Sequence, residues 1–238
     1  MALPRVNETL NFSMKIPSTG ERVKYRPYLV KEEKVLLQAF ESQNLSSILE
    51  TMCDTIAACL DQKSKVQVDN LATFDVEYMF TQIRASSVGE TSDIILKCTE
   101  CDRDNTVSVD LTELEVKVDD IDKLIEITDE VSVEMRYPSY QVLIDEDIQE
   151  ISDGNAEQVI SLVAGSIVAV LTDEERIEVS TESPEEVKEF LNSLTATQFQ
   201  KVAAFLQEMP QLQHHVNFKC EGCGADNEKE LRGLSDFF

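Results

Sequence analysis

Lys97-Cys98-Thr99-Glu100-Cys101-Asp102-Arg103-Asp104-Asn105 and Lys219-Cys220-Glu221-Gly222-Cys223-Gly224-Ala225-Asp226-Asn227 are near copies of one another, each spelling K-C-x-x-C-x-x-D-N. Alternating apolar residues lead into the first cysteine of each, Ile94 and Leu96 in one, Val216 and Phe218 in the other. This is the layout of a zinc knuckle. A C-x-x-C turn sets two thiolates on one side of a tight loop, and two such turns close a tetrahedral four-sulfur sphere that has no open position. Cys98, Cys101, Cys220 and Cys223 are therefore the candidate ligands of one structural zinc ion. Disulfides, free thiols and an iron-sulfur cluster are the alternatives. A redox C-x-x-C usually opens a helix in a βαβ setting, whereas both pairs here lie between extended segments.

The spacing between the pairs sets the architecture. An ordinary zinc ribbon separates its two turns by about 15 to 20 residues, but 118 residues lie between Cys101 and Cys220. The metal is expected to clasp the two ends of an insertion, because closing so long a loop costs chain entropy that the insert must otherwise offset by packing. Chelation is expected to loosen that join. The predicted fold class is α+β: an N-terminal β-hairpin and helices over residues 1–90, two halves of a zinc-ribbon-like module at 91–110 and 213–238, and an inserted acidic α+β domain over 111–212.

The 238 residues are 42% hydrophobic, enough to bury a core. Acidic residues outnumber basic ones by 46 to 21, for a formal net charge of −25. So negative a surface repels phosphate backbones, which argues against nucleic acid as a partner. The acidity serves either solubility or docking to a basic protein surface. Met1 to Asn7 has no apolar core and no stretch reaches about 20 apolar residues, so neither a leader nor a membrane span is predicted and the chain is expected in the cytoplasm. Cys53 and Cys59, within a helical pattern, read as small buried hydrophobes.

Working outward, Leu10, Phe12, Met14 and Ile16 alternate with polar residues, Pro17-Ser18-Thr19-Gly20 turns the chain, and Val23, Tyr25 and Leu29 continue the return run, with Pro27 marking an edge. Lys31 to about Gln43 is predicted helical, with Val35, Leu36 and Phe40 among charged neighbours. After Asn44 as N-cap, Leu45, Ile48, Leu49, Met52, Ile56 and Leu60 keep strict helical spacing. A third helix starts after Thr73 with Val76, Met79, Phe80 and Ile83 on one face, and stops by Gly89. Beyond Asn105, the runs Val107-Val109-Leu111, Leu114-Val116-Val118 and Val131-Val133-Met135 predict a small antiparallel sheet with acidic turns such as Asp119-Asp120. A short helix is predicted from Tyr140 to Ile148, then Asn155-Ala156-Glu157-Gln158 as a capping box before one apolar helix over Val159–Leu171, with Gly165 and Ala169 as a small pair admitting a neighbour. Capping boxes at Ser183-Pro184-Glu185-Glu186 and Thr195-Ala196-Thr197-Gln198 announce two more helices, and Pro210 ends the second. The terminal Phe237-Phe238 is either a docking peg or a pair folded back on its own domain.

Nothing in the chain marks an active site. His214 and His215 are adjacent on a predicted strand and point to opposite faces. Seven scattered glycines form no phosphate cradle. Pairs such as Asp145 and Asp147 or Asp173 and Glu174 are what so acidic a chain contains by chance. The predicted role is non-enzymatic.

Ile16-Pro17-Ser18-Thr19-Gly20, Tyr25-Arg26-Pro27-Tyr28-Leu29-Val30-Lys31-Glu32-Glu33-Lys34-Val35-Leu36-Leu37, Thr73-Phe74-Asp75-Val76-Glu77-Tyr78 and Lys97-Cys98-Thr99-Glu100-Cys101 together resemble the baseplate hub proteins of T-even-type contractile-tailed phages. The resemblance covers most of the first 105 residues and resumes at the second knuckle. It implies a hub component or a hub-assembly factor, made in the cytoplasm of the infected host, whose partners are other baseplate hub and tail proteins. The acidic faces and the segment from Arg26-Pro27-Tyr28 to Lys31-Glu32-Glu33 are its expected contact surface. A cellular zinc-ribbon adaptor binding a protein partner is the alternative.

Overall fold

The computed structural model describes residues 12–42, 44–118, 122–145, 156–233 and 236. In chain order its elements are β1 (Phe12–Lys15), β2 (Arg22–Tyr25), α1 (Val30–Ser42), α2 (Leu45–Cys59), α3 (Thr73–Ser87), β3 (Thr91–Lys97) and β4 (Asp104–Asp110). They continue with β5 (Glu115–Val116), β6 (Leu124–Glu126), β7 (Val131–Met135), α4 (Tyr140–Asp145), α5 (Ala156–Ser166), β8 (Ile167–Thr172) and β9 (Arg176–Glu178). The last are α6 (Pro184–Ser193), α7 (Ala196–Gln207), β10 (Leu212–Lys219) and β11 (Asp226–Arg232). The fold is α+β. Met1 to Asn7, Leu10, Asp119-Asp120, Asp147, Ile148, Asn155 and Phe237-Phe238, all invoked above, lie outside the described residues.

Two units share the chain: Met1–Val68, Phe74–Val118 and Pro210–Phe238 form the first, and Asp69–Thr73 with Asp119–Met209 the second. In the first, β1 and β2 pair antiparallel around a turn in which Gly20 takes φ +72°. Met14, Ile16, Val23 and Tyr25 are buried, as the alternation requires. The return strand stops at Tyr25, so Leu29 lies beyond it. Pro27 cannot donate to a ladder, and Arg26 instead donates its amide to the carbonyl of Cys59. The turn is held from α3: Asp75, fully buried, accepts from both the amide and the hydroxyl of Ser18. Asp75→Ala is expected to cost about 1–3 kcal/mol, because it leaves the Ser18 amide and hydroxyl without their acceptor at a buried site. Urea denaturation checks this.

Helix α2 matches its periodicity closely. Asn44 accepts from the amide of Ser47 at 2.8 Å, and Leu49, Met52, Ile56 and Leu60 are buried together with Cys53 and Cys59. Burial pushes the Cys59 thiol up to about 11, which makes it an inert apolar group at neutral pH. Helix α1 leaves part of its apolar surface outside. It buries Glu32, Leu36 and Ala39, while Val35 is 51% and Phe40 41% exposed. The cause is Arg26. Its guanidinium bonds Glu32 at 2.9 Å and the Ala58 carbonyl at 3.0 Å, while the other Glu32 oxygen accepts from the Leu29 amide. Arg26 and Glu32 therefore clamp α1 against the end of α2.

Helix α3 is buried nearly all round rather than on one face. Phe74, Asp75, Thr81 and Ala85 join Val76, Met79, Phe80 and Ile83 inside. Its Ala85 and Tyr78 meet a core made by Ile94, Leu96, Val109, Leu111, Leu114, Leu212, Val216 and Leu231. That core fills the space between the hairpin β3–β4 and the three-stranded sheet β11–β10–β5.

The single small sheet predicted beyond Asn105 is instead divided among three. β4 returns along β3, β5 pairs with β10 through Val116 and Leu212, and β7 lies between β6 and β8. Alternation predicts extended backbone but not its partner, and for β5 with β10 and β7 with β8 the partner is far away in sequence.

In the second unit, β6–β7–β8–β9 form an antiparallel sheet whose Val133, Met135, Ile167 and Ala169 are buried. The apolar helix predicted to run to Leu171 ends at Ser166. Ile167-Val168-Ala169-Val170-Leu171-Thr172, rich in β-branched residues, is a strand. Gly165 still admits a neighbour, since a Cβ there would lie 2.8 Å from a Val142 methyl of α4, whereas Ala169 belongs to β8. Both capping boxes form: Ser183 with Glu186, and Thr195 with Gln198. This unit's sequence carries 23 Asp or Glu against five Lys or Arg, so most of the chain's net charge of −25 resides here.

Candidate metal centre

Each K-C-x-x-C stretch is the turn of a hairpin. Lys97 faces Asp104 across β3 and β4, and Lys219 faces Asp226 across β10 and β11, so the two motifs occupy equivalent registers. Inside each turn the first cysteine donates its amide to the carbonyl five residues on: Cys98 to Arg103 and Cys220 to Ala225, both at 2.9 Å. The residue four on donates back, Asp102 to Cys98 and Gly224 to Cys220, both at 3.0 Å. Those residues take φ +55° and +76°, the left-handed region that aspartate tolerates and glycine favours. The Glu100 amide lies 3.4 Å from Cys98 Sγ and the Gly222 amide 3.3 Å from Cys220 Sγ.

The sulfurs meet crosswise. Cys98 Sγ is 3.7 Å from Cys223 Sγ, Cys101 Sγ is 3.7 Å from Cys220 Sγ, and all four lie within 4.8 Å of one another. A disulfide would need about 2.05 Å. A tetrahedron of sulfurs 2.3 Å from a central ion has edges of about 3.8 Å, close to both crosswise distances. The four cysteines therefore lie close enough to hold a single metal ion, and the donor set fits a soft tetrahedral one. Cys98 and Cys220 are buried, Cys101 and Cys223 exposed.

Three of the thiols are displaced from the ordinary cysteine range, in opposite directions. The Glu100 amide lowers the Cys98 thiol, and the Cys223 amide, followed by that of Gly222, draws Cys220 down to about 6. Cys101 goes the other way: the Arg103 amide favours its thiolate, but crowding by Cys223 and the other sulfurs pushes it up to about 12. Four thiolates so close together need a cation to offset their repulsion.

Neither histidine belongs to this cluster. His215 is exposed beside Glu230 at 3.8 Å, and His214 lies half-buried on the other face of β10, as the strand alternation requires. Asp173 and Glu174 sit in an exposed turn after β8.

Two residues of the motif have a part that spacing alone did not assign. Asn105 Oδ1 accepts from the Glu221 amide at 2.9 Å, and Asn227 Oδ1 accepts from the Thr99 amide at 2.9 Å. The signal was present in the sequence, because both copies end in the same Asp-Asn. The side chain of Arg103 lies across the second turn, where a Cβ on Gly222 would fall 2.6 Å from its Cδ. Among the described residues, no helix is long and apolar enough to cross a membrane.

Neither the curated proteins nor the solved structures contain a match to this chain. The model of one family, described as T4 bacteriophage base plate protein, matches residues 8–238, from the first hairpin through both cysteine turns and everything between them. The chain thus belongs to the T4 bacteriophage base plate protein family.

Proposed function

We propose that this chain is a non-enzymatic protein of the central hub of a contractile-tail baseplate, serving as a structural component or as a factor that assembles the hub. One structural zinc ion, held by Cys98, Cys101, Cys220 and Cys223, joins its two hairpins. The observation that carries this reading is the family match across residues 8–238, since it includes the insertion as well as the motif that flanks it. It favours a phage role over a cellular adaptor. Assignment to the hub rests on the resemblance of the segments around Ile16–Gly20, Tyr25–Leu37 and Thr73–Tyr78. Assignment of zinc rests on a closed set of four thiols at tetrahedral spacing, which leaves no open coordination position for chemistry. Its partners are other hub and tail proteins, met in the cytoplasm of the infected host.

Quantitative mass spectrometry of purified particles, beside a lysate of infected cells, tests the role. A fixed small-integer ratio to a tail-tube protein makes the chain a structural component. Abundance in the lysate with absence from particles makes it an assembly factor, and absence from both rejects the phage role. Elemental analysis of the natively purified protein is expected to find one zinc per chain. Finding neither zinc nor iron would reject the metal centre.

A further inference from the structure

Each cysteine turn is held by an asparagine from the other. Asn227 Oδ1 takes the Thr99 amide at 2.9 Å and the Thr99 hydroxyl at 3.0 Å, while its Nδ2 donates to the Ala225 carbonyl of its own turn at 3.0 Å. Asn105 mirrors it: Oδ1 takes the Glu221 amide at 2.9 Å and Nδ2 donates to the Arg103 carbonyl at 2.8 Å. Both side chains are buried. Asn227 Nδ2 also lies 3.6 Å from Cys98 Sγ. Thr99 and Glu221 directly follow the first cysteine of each pair, so fixing their amides fixes the turn whose next amide, Glu100 or Gly222, reaches a cysteine sulfur.

We propose that Asn105 and Asn227 are positioning residues that form a reciprocal latch, setting the two cysteine turns in metal-binding geometry across the 118-residue separation. The proposal rests on the four cysteines being a metal centre. The chemistry demands asparagine, because each position must accept from an amide and donate to a carbonyl within one short side chain. Aspartate has the same shape but no donor, and would set its charge against the carbonyl. A latch formed by protein atoms needs no ion, so it pre-organises the site and lowers the ordering cost of metal capture.

The test uses the full chain and Co2+ as the probe, whose visible spectrum reports tetrahedral thiolate coordination. Asn105→Ala and Asn227→Ala are each expected to weaken Co2+ binding at least tenfold, and the isosteric Asn105→Asp and Asn227→Asp to weaken it comparably. Asn217→Ala, an exposed asparagine on β10, should leave affinity within twofold. The second readout is amide exchange in metal-free protein. Loss of Asn227 should speed exchange at Thr99, and loss of Asn105 should speed it at Glu221, each roughly tenfold and each on the opposite hairpin. Co2+ affinities within twofold of wild type, or unchanged crosswise exchange in the folded aspartate variants, would overturn the latch. If wild-type protein takes up no Co2+, the metal centre itself fails, and the crosswise exchange still shows whether the asparagines hold the turns.

Discussion

Replacing Cys98 with serine is expected to abolish metal uptake and to lower the stability of the first unit by about 4 kcal/mol or more, the linkage contribution of an ion present at a thousandfold excess over its dissociation constant. Cys98 is the proposed ligand whose loss should have most consequence. It is buried, it meets Cys223 of the other hairpin at 3.7 Å, and Asn227 reaches its sulfur. Serine keeps the size but not the soft thiolate, and three remaining sulfurs leave the coordination sphere open. Chelator added to wild type should reproduce the loss, and chelator added to Cys98→Ser should do nothing further. Cys59→Ser is the control: that thiol is buried within α2 and away from the cluster, so metal content should stay at one per chain. Metal analysis and thermal denaturation with and without chelator read both effects. A Cys98→Ser protein that retains one zinc and wild-type stability would reject the site.

What was legible in the sequence followed the range of the interactions that fix it. The cysteine turns, the α2 stripe behind Asn44 and the boxes at Ser183 and Thr195 are set by residues within four or five positions of one another, and all form as predicted. The face α1 buries was not legible, because it is decided by a salt bridge from Arg26, outside the helix, to Glu32 within it. Nor was the break at Ser166. An apolar run read from Val159 to Leu171 fits a buried helix or a buried strand equally by periodicity, and the edge of β7 decided for strand beyond Ser166. The pairing of β5 with β10 and of β7 with β8 and the crosswise asparagines depend on contacts across many residues. The repeated Asp-Asn was visible, but its purpose appears only when the two turns face each other.

The proposed metal would not be the only clasp on the insertion, and Leu212→Ala separates the two. Leu212 is fully buried in the core between the hairpins, pairs with Val116 where the chain leaves for the insertion, and accepts from the Gly233 amide at 3.0 Å. Its truncation is expected to cost about 2–5 kcal/mol through lost transfer energy and the cavity left behind. The seven steps of strand from Leu212 to Lys219 put the metal end of β10 about 24 Å away, well past the separation at which independent contributions add to within about 0.5 kcal/mol. The loss from Leu212→Ala should therefore be the same in zinc-loaded and chelated protein, measured by urea denaturation. A full loss in both states means that packing at the base of the hairpins closes the long loop on its own, and that zinc adds an independent closure at the tip. No loss in chelated protein would mean that removing the ion has already opened the hairpins down to Leu212, leaving the metal as the only closure of the insertion.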